Sequence, residues 1–288
     1  MSPQKSMLVR SPYPVLVACW LTMIAAPPPA PARGADQPVH PLATDVRERI
    51  RLDAEESVRV LTLQLETDPA NGQALSQRGD ALFSLSRFDE AVRDYNDMAN
   101  RDLTLDRSHW RRGIAWFYAG DYEAAASQFE RYHSFDNVDR ENGIWRYLSQ
   151  ARNSDVATAR AGLLKYEKDD REPFPDVFRL FAGTIEPEQV LTRIDEAKLG
   201  DSEREARRFY AQLYIGLNHA VENRDDEALQ HLAEATRNTW APRASYGPRW
   251  MWHVGRVHWE QLAARAADAS PAENRNPPED GRESPRRP

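Results

Sequence analysis

The stretches Gln77-Arg78-Gly79-Asp80-Ala81-Leu82 and Arg111-Arg112-Gly113-Ile114-Ala115-Trp116 place two glycines, Gly79 and Gly113, in matching contexts. Three alanines, Ala91, Ala125 and Ala159, are separated by the same interval as the glycines. Small residues let two helices approach closely, because a larger side chain would hold the backbones apart. This interval is the length of one repeat of two antiparallel helices. The sequence therefore predicts an all-α chain of stacked helix pairs.

Large apolar residues recur at the core positions of these pairs, since neither helix can bury its apolar face alone. These positions hold Leu75, Leu82, Phe88, Tyr95, Trp116, Phe129, Tyr132, Tyr147, Leu163 and Tyr166. The third unit, from Arg140, has no glycine at its eighth position, whereas a later pair has Gly216 and Ala228 at its small positions. Upstream, Glu55–Leu65 is predicted to be the second helix of a degenerate leading unit.

Residues 38–167 resemble tetratricopeptide (TPR) repeats in continuous register, and Phe209–Leu217 with Ala228–Leu232 resembles one more unit. An irregular insert, Pro173–Gly183, lies between them, and a terminal helix containing Trp250–Val257 follows. This order is similar to that of the NlpI-type envelope lipoproteins and their uncharacterised bacterial relatives. The resemblance implies a TPR helix–turn–helix solenoid, coiled as a right-handed superhelix, with a C-terminal helical cap. It also implies a homodimeric scaffold for other envelope proteins.

The N-terminal segment 1–32 is predicted to be a signal peptide. Lys5 and Arg10 precede an apolar run, Val15–Ala26, which is too short to cross a bilayer. Cleavage is expected after Ala32, where small residues alternate with proline. Export would place the protein in the periplasm or the cell envelope.

An alternative is carried by Leu16-Val17-Ala18-Cys19, which fits a lipobox. In that case Cys19 would be acylated and would anchor the chain to a membrane. If Cys19 instead belongs to a cleaved signal, the mature chain has no cysteine, because the sequence contains only one. Its stability would then come from packing and not from disulfides.

The remaining composition divides the chain into three parts. Residues 33–43 are a polar linker, 44–266 form the TPR-like repeat domain, and 267–288, which are rich in proline and charge, are predicted to be a disordered tail. The net charge is −7 and the positive charges are dispersed. This argues against a nucleic-acid partner.

The sequence contains no recognisable motif for catalysis, cofactor binding or metal binding. There is no G-x-S-x-G turn, Walker loop, G-x-G-x-x-G or H-E-x-x-H. His253 and His258 have a poor spacing for two ligands on one helix face, where ligands are usually three or four positions apart. His219 and His231 are expected to be hydrogen-bonded structural residues. The acidic run Glu167–Glu172 is expected to be solvated and to close a helix.

The repeat register predicts a concave groove that binds a protein or peptide. Its candidate contact residues, called the predicted groove below, are Ser76, Asp80, Phe83, Arg107, Trp110, Ile114, Phe117, Glu141 and Ile144. Trp110, Ile114 and Phe117 share one helical face, and Trp110 is expected to be an exposed anchor. TPR domains that clamp a C-terminal carboxylate use lysine, asparagine and arginine at these positions, and this chain lacks that set. The groove would suit an amphipathic helix or an extended peptide with apolar anchors.

These observations favour an exported, non-enzymatic adaptor or scaffold, with another protein as its partner and with no cofactor. One alternative is a hydrolase or metal site built on the irregular segment 168–200 and the C-terminal helix, which would need polar residues to converge in one pocket. Another alternative is a structural role in self-assembly.

Overall fold

The computed structural model describes residues 38–168 and 170–269, and this part of the chain is helical, without a strand. The helices are α1 (Thr44–Thr67), α2 (Gly72–Ser84), α3 (Phe88–Arg101), α4 (Leu105–Ser108), α5 (Trp110–Ala119), α6 (Tyr122–Phe135), α7 (Arg140–Asn153), α8 (Val156–Ala161), α9 (Phe174–Phe181), α10 (Pro187–Glu196), α11 (Asp201–Val221), α12 (Asp225–Arg237) and α13 (Tyr246–Ala269). The all-α class is thereby confirmed. The predicted signal peptide, Cys19 and residues 270–288 of the predicted tail lie outside the described residues, whereas residues 267–269 of that tail belong to α13.

Three helix pairs reverse the chain in the same way: α2–α3 (the first repeat), α5–α6 (the second repeat) and α11–α12, where the turn residue is Asn223 with a φ of 60°. Ser86 between α2 and α3 has a φ of 59°, and Gly120 between α5 and α6 has a φ of 85°. These two positions are separated by the same interval as Gly79 and Gly113. A left-handed residue ends the first helix and turns the chain back. Asp121 then caps α6 by accepting a hydrogen bond from the backbone N–H of Ala124 at 3.0 Å.

The glycines lie where the two helices of a pair come closest, as predicted. A Cβ atom on Gly79 would lie 2.5 Å from the ring of Tyr95, and one on Gly113 would lie 2.7 Å from the ring of Phe129. In the later pair, a Cβ on Gly216 would lie 2.7 Å from Leu232. In each of these three contacts, the glycine and the residue that it faces are separated by the same number of positions in the sequence. The same helix–helix contact therefore recurs in all three pairs. Every alanine predicted at a small position is fully buried: Ala91, Ala125, Ala159 and Ala228.

The packing contacts show that α2 and α3 run antiparallel. Gly72 at the start of α2 is near Met98 at the end of α3, whereas Phe83 at the end of α2 meets Phe88 at the start of α3, with ring centroids 5.4 Å apart. Most helices pack chiefly against a helix that directly precedes or follows them in the chain. The leading helix α1 is one continuous helix of 24 residues that includes the predicted Glu55–Leu65.

The third unit departs from the sequence expectation. Its second helix, α8, ends at Ala161 after six residues, and residues 163–168 are not helical. Tyr166 nevertheless packs against α7, where a Cβ on Gly143 would lie 2.5 Å from its hydroxyl oxygen. The described residues of the acidic run, 167–168 and 170–172, therefore do not close a helix. Asp170 is almost fully buried and accepts a hydrogen bond from the backbone N–H of Arg140 at 2.8 Å, so that part of the run is not solvated.

The C-terminal helix α13 packs on α12 and also reaches back to the first repeat. Arg256 on α13 donates to the carbonyl oxygen of Ser84 at 2.5 Å. Residues 38–43 of the predicted linker lie beside the same helix, where His40 contacts the ring of Trp259 at 4.8 Å and bonds Glu260 at 3.1 Å. Helix α13 thus connects the two ends of the repeat array.

Replacing Gly113 with alanine is expected to destabilise the protein by about 1–3 kcal/mol, as overpacking of a core does. The new methyl group would lie 2.7 Å from the ring of Phe129 and 3.1 Å from the side chain of Gln128, and both residues are fully buried. In a helix interior without such a close contact, replacing glycine with alanine would instead stabilise the protein by about 1 kcal/mol. Urea denaturation of both proteins measures the difference.

The matched control is Gly247→Ala in the first turn of α13, where a Cβ meets nothing within 4 Å. That variant is expected to be as stable as the native protein or slightly more stable. Equal, favourable effects at the two glycines would contradict the close helix approach at Gly113.

Candidate binding cavity

Helix α13 covers the first part of the predicted groove. The ring of Trp250 stacks on Phe83, with centroids 4.5 Å apart, and meets Trp110 edge-on at 4.9 Å. Trp250 also donates its indole N–H to a carboxylate oxygen of Asp80 at 3.0 Å. The expectation that Phe83 lines an open groove is therefore wrong: it is fully buried, because the chain's own C-terminal helix lies on it.

Asp80 is an internal hydrogen-bond acceptor and not an exposed contact. Its carboxylate accepts from the hydroxyl groups of Tyr95 and Tyr246, each at 2.6 Å, and from Arg111 at 2.6 Å, in addition to Trp250. Arg111 also donates to the hydroxyl of Ser76 at 3.0–3.1 Å. Two predicted groove residues, Ser76 and Asp80, thus hold Arg111 in place between the first repeat, the second repeat and α13.

Four predicted groove residues are buried in the core: Phe83, Ile114, Phe117 and Ile144. Phe117 packs edge-on against Trp145 of α7 at 5.5 Å, which explains why it does not face solvent. Arg107 is exposed on the short helix α4. Trp110, which was expected to be an exposed anchor, is partly buried against Trp250. The four buried residues are apolar because neighbouring helices pack against them. Helix packing therefore produces the same pattern of apolar residues in the sequence as a ligand-binding face would.

The uncovered part of the predicted groove opens into a cavity of about 540 Å³. Trp110, Ile114 and Glu141 border it, so the structure brings together three of the nine predicted residues. Its other walls come from α6, from the segment before α9, from α11 and from the start of α13. A volume of this size is within the range of pockets that bind small molecules or side chains.

The lining combines aromatic rings with carboxylates. The aromatic residues are Trp110, Phe129, Tyr132, Trp145, Tyr210 and Trp240. The carboxylates are Asp139, Glu141, Glu172 and Glu203, and Arg171 is the one basic side chain of the lining in the described part of the chain. Glu172 and Glu203 are about half exposed, whereas Asp139 and Glu141 are more deeply buried. The negative charge therefore extends from the rim into the interior of the cavity.

A hydrogen-bonded network surrounds Glu141. One of its carboxylate oxygens accepts from the hydroxyl of Tyr214, and the other accepts from the guanidinium of Arg171. Arg171 also pairs with Asp139 at 3.3 Å and with Asp170 at 3.5 Å, and it lies 4.3 Å from the centre of the Phe174 ring. One guanidinium is thus shared among three carboxylates.

Burial changes the protonation of this network. It raises the pKa of Glu141 to about 7, because an ionised carboxylate loses hydration inside the protein. The positive charge of Arg171 opposes this effect, and the negative charge of Asp139 adds to it. The pKa of Asp139 is raised by burial as well, again against the opposing influence of Arg171. Burial also raises the pKa of Tyr132 to about 12. Glu141 therefore exchanges its proton near neutral pH.

The free energy of unfolding is expected to depend on pH through Glu141. Its pKa in the folded state, about 7, lies above the ordinary value of 4.5. The folded protein binds this proton more tightly, so the stabilisation is complete below pH 4.5 and is lost as the pH rises to about 7. The loss amounts to at most about 3 kcal/mol. Denaturation in urea between pH 4.5 and 8 measures it.

Glu141→Gln provides the comparison, because glutamine keeps the shape of the side chain and does not titrate. Relative to this variant, the native protein is expected to lose stability between pH 4.5 and 7. Parallel pH curves for the two proteins would show that Glu141 titrates normally.

Sequence reasoning missed several residues of the cavity. Arg171 and Asp139 are separated in the chain and belong to no motif, and Tyr210 was recognised only as part of a later repeat. Trp240 follows α12 in a segment without periodicity. The one usable signal was the position of Arg171 within an acidic run, between Asp170 and Glu172, because a basic residue flanked by carboxylates indicates an ion-pair network.

The four histidines considered above as candidate metal ligands or structural residues all have hydrogen-bonding partners. His253 bonds the hydroxyl of Ser84 at 3.3 Å, and His258 bonds the hydroxyl of Tyr118 at 2.9 Å. His219 accepts from Arg224 at 2.7 Å, and His231 bonds Gln212 at 2.7 Å, while the two imidazole rings stack at 5.3 Å. Burial lowers the pKa of both His253 and His258 to about 3, so each is neutral at physiological pH.

Residues 38–168 and 170–269 contain no cluster of three or more potential metal-ligating side chains. None of the helices in these two ranges contains an apolar stretch that could span a lipid bilayer. The chain matches none of the protein-family models with which its sequence was compared.

Proposed function

We propose that the protein is a non-enzymatic adaptor of the TPR type and that the cavity at Trp110 and Glu141 receives a segment of its partner. The observation that carries this proposal is the cavity itself. It lies on the side of the first helices of the second and third units, α5 and α7, where TPR proteins bind their ligands. The repeated contact between Gly79 and Tyr95 and between Gly113 and Phe129 supports the TPR assignment. A right-handed superhelix is part of this proposal, because TPR repeats stack in that way.

The proposal differs from an open TPR groove in one respect. Helix α13 occupies the part of the groove formed by Asp80 and Phe83, as the contacts of Trp250 show. A partner would therefore bind the remaining cavity and not the full length of the groove. A short segment with one or two large side chains suits this space better than a long amphipathic helix.

The N-terminal sequence supports an exported protein, located in the periplasm or the cell envelope. Anchoring to a membrane would follow only if Cys19 is acylated. Sequencing the N-terminus of the mature protein separates the two cases, since cleavage after Ala32 leaves Arg33 as the first residue. Sedimentation of the purified chain tests the proposed homodimer.

Ala206→Phe tests the proposed function. Ala206 lines the cavity on α11 and is partly exposed, so a phenyl ring there is expected to fill part of the cavity. We expect this variant to melt normally and to capture far less of the partner from an envelope extract. Ala157→Phe is the matched control, because Ala157 is exposed on α8 and does not line the cavity. Equal capture by the native protein and Ala206→Phe would place the partner surface elsewhere.

A hydrolase is the second candidate, and the cavity gives it a specific observation. Arg171 and Glu172 of the irregular segment converge there with Ser245 before α13 and with Glu141, whose pKa of about 7 suits a general acid or base. The binding function is better supported, because both carboxylate oxygens of Glu141 are already engaged by Tyr214 and Arg171. The hydrolase would be favoured if the native protein turned over ester, amide or glycoside substrates and Glu141→Gln did not.

A further inference from the structure

We propose that the cavity recognises a basic side chain, lysine or arginine, carried by an otherwise apolar segment of the partner. This inference rests on the proposed binding function and adds the chemical class of the ligand. Three features of the cavity support it: its excess of carboxylates, the engagement of its arginine and the nature of its aromatic walls.

Carboxylates outnumber basic groups in and around the cavity. Four of them line it, against the single guanidinium of Arg171 in the described part of the lining. Arg207 lies near the rim, where it pairs with Glu203 at 2.7 Å and approaches Glu172 at 3.9 Å. Even when Arg207 is included and Glu141, with its pKa of about 7, is counted as only partly ionised at neutral pH, the negative charges of the four carboxylates exceed the two positive ones. A positively charged side chain would reduce this excess, whereas an anionic one would increase it.

The side chain of Arg171 is about half exposed, but its guanidinium is already surrounded by acidic partners. Its guanidinium already contacts Asp139, Glu141 and Asp170, and its face packs on the ring of Phe174. An incoming carboxylate or phosphate that approaches Arg171 would lie close to these three carboxylates and be repelled by them. This is the physical reason why a cation is favoured over the acidic ligands that arginine usually recognises.

The aromatic walls suit the methylene stem and the charged end of a basic side chain. Trp110, Tyr132 and Trp240 are each only partly buried and line the opening. Lysine and arginine pack their methylene groups on such rings, and their charge is attracted by the ring face. A cavity of about 540 Å³ accommodates such a side chain together with a neighbouring apolar residue.

The test uses the purified protein and a set of short synthetic peptides, blocked at both ends. The peptides share a randomised apolar background and differ at one central position, which is Arg, Lys, Gln, Leu or Glu. Binding is followed by fluorescence anisotropy at low and at physiological salt. We expect the Arg and Lys sets to bind at least roughly tenfold more tightly than the Gln and Leu sets, and the Glu set to bind least.

Glu172→Gln/Glu203→Gln is the informative variant, because both side chains are exposed enough to be replaced without loss of folding. We expect it to weaken binding of the Arg set roughly tenfold and to leave the Leu set unchanged. Glu66→Gln/Glu123→Gln is the matched control, since it removes the same charge at exposed positions outside the cavity.

The possible outcomes separate the two proposals. If the Leu or Gln set binds as tightly as the Arg set, and Ala206→Phe abolishes this binding, the cavity binds peptides but the inference about charge is wrong. If no peptide set binds, or if Ala206→Phe has no effect on any of them, both the inference and the proposed function fail.

Discussion

Trp250→Ala is expected to destabilise the protein by about 3–5 kcal/mol, as truncation of a buried aromatic residue usually does. Trp250 is only 4% exposed, and it joins α13 to the first two repeats through Phe83, Trp110 and Asp80. For a domain of this size the loss lowers the melting temperature by roughly 10 °C. Thermal denaturation followed by circular dichroism measures it.

Leu103→Ala is the control for this prediction, because Leu103 is an apolar residue that is 77% exposed. Its melting temperature should stay close to that of the native protein. A similarly small change for Trp250→Ala would mean that α13 does not lie on the repeats in solution and that the whole predicted groove is open.

Asp80→Ala is expected to be nearly as damaging, with a cost of about 3 kcal/mol. The substitution removes the acceptor of four hydrogen bonds and leaves the charge of Arg111, whose side chain is 14% exposed, without its carboxylate. Most of the cost arises from this unpaired charge. Adding Arg111→Met to Asp80→Ala should therefore recover part of the lost stability, as urea denaturation of the single and double variants would show.

Glu56→Ala is the matched control for Asp80→Ala. It breaks the ion pair with Arg59, but both side chains are about 60% exposed, so the charge that remains stays hydrated. Its stability should be almost unchanged. If Asp80→Ala and Glu56→Ala behave alike, Asp80 is not the internal link between the repeats and α13.

The repeat pattern predicted most of the helix pairing because it reflects a strong local constraint. Gly79, Gly113 and Gly216 each face a large residue on the next helix, and only a small side chain fits there. The third unit was harder to predict. Its second helix ends at Ala161, and Tyr166 reaches its partner Gly143 from a non-helical segment. A side chain can fill an equivalent position in space without the helix that usually presents it.

The location of the cavity could be predicted only in part. Trp110, Ile114 and Glu141 follow from the repeat register, since they lie on the first helices of two neighbouring units. Helix α13 covers the rest of the predicted groove through contacts between distant parts of the chain, such as that between Asp80 and Trp250. No local sequence pattern predicts these contacts. Aromatic residues that bind α13 and aromatic residues that bind a partner look the same in a sequence.

The indole N–H signals of the tryptophans give the most direct test of the central claim, that a partner segment binds in the cavity beside α13. In the native protein, titrated with the tightest peptide of the Arg set, the signals of Trp110 and Trp240 should shift. The signal of Trp252 should not, because its N–H is bonded to the carbonyl oxygen of Thr236 at 2.9 Å, away from the cavity. If the indole N–H signals of Trp110 and Trp240 do not shift at a saturating concentration of the peptide, the claim that a partner segment binds in the cavity is contradicted.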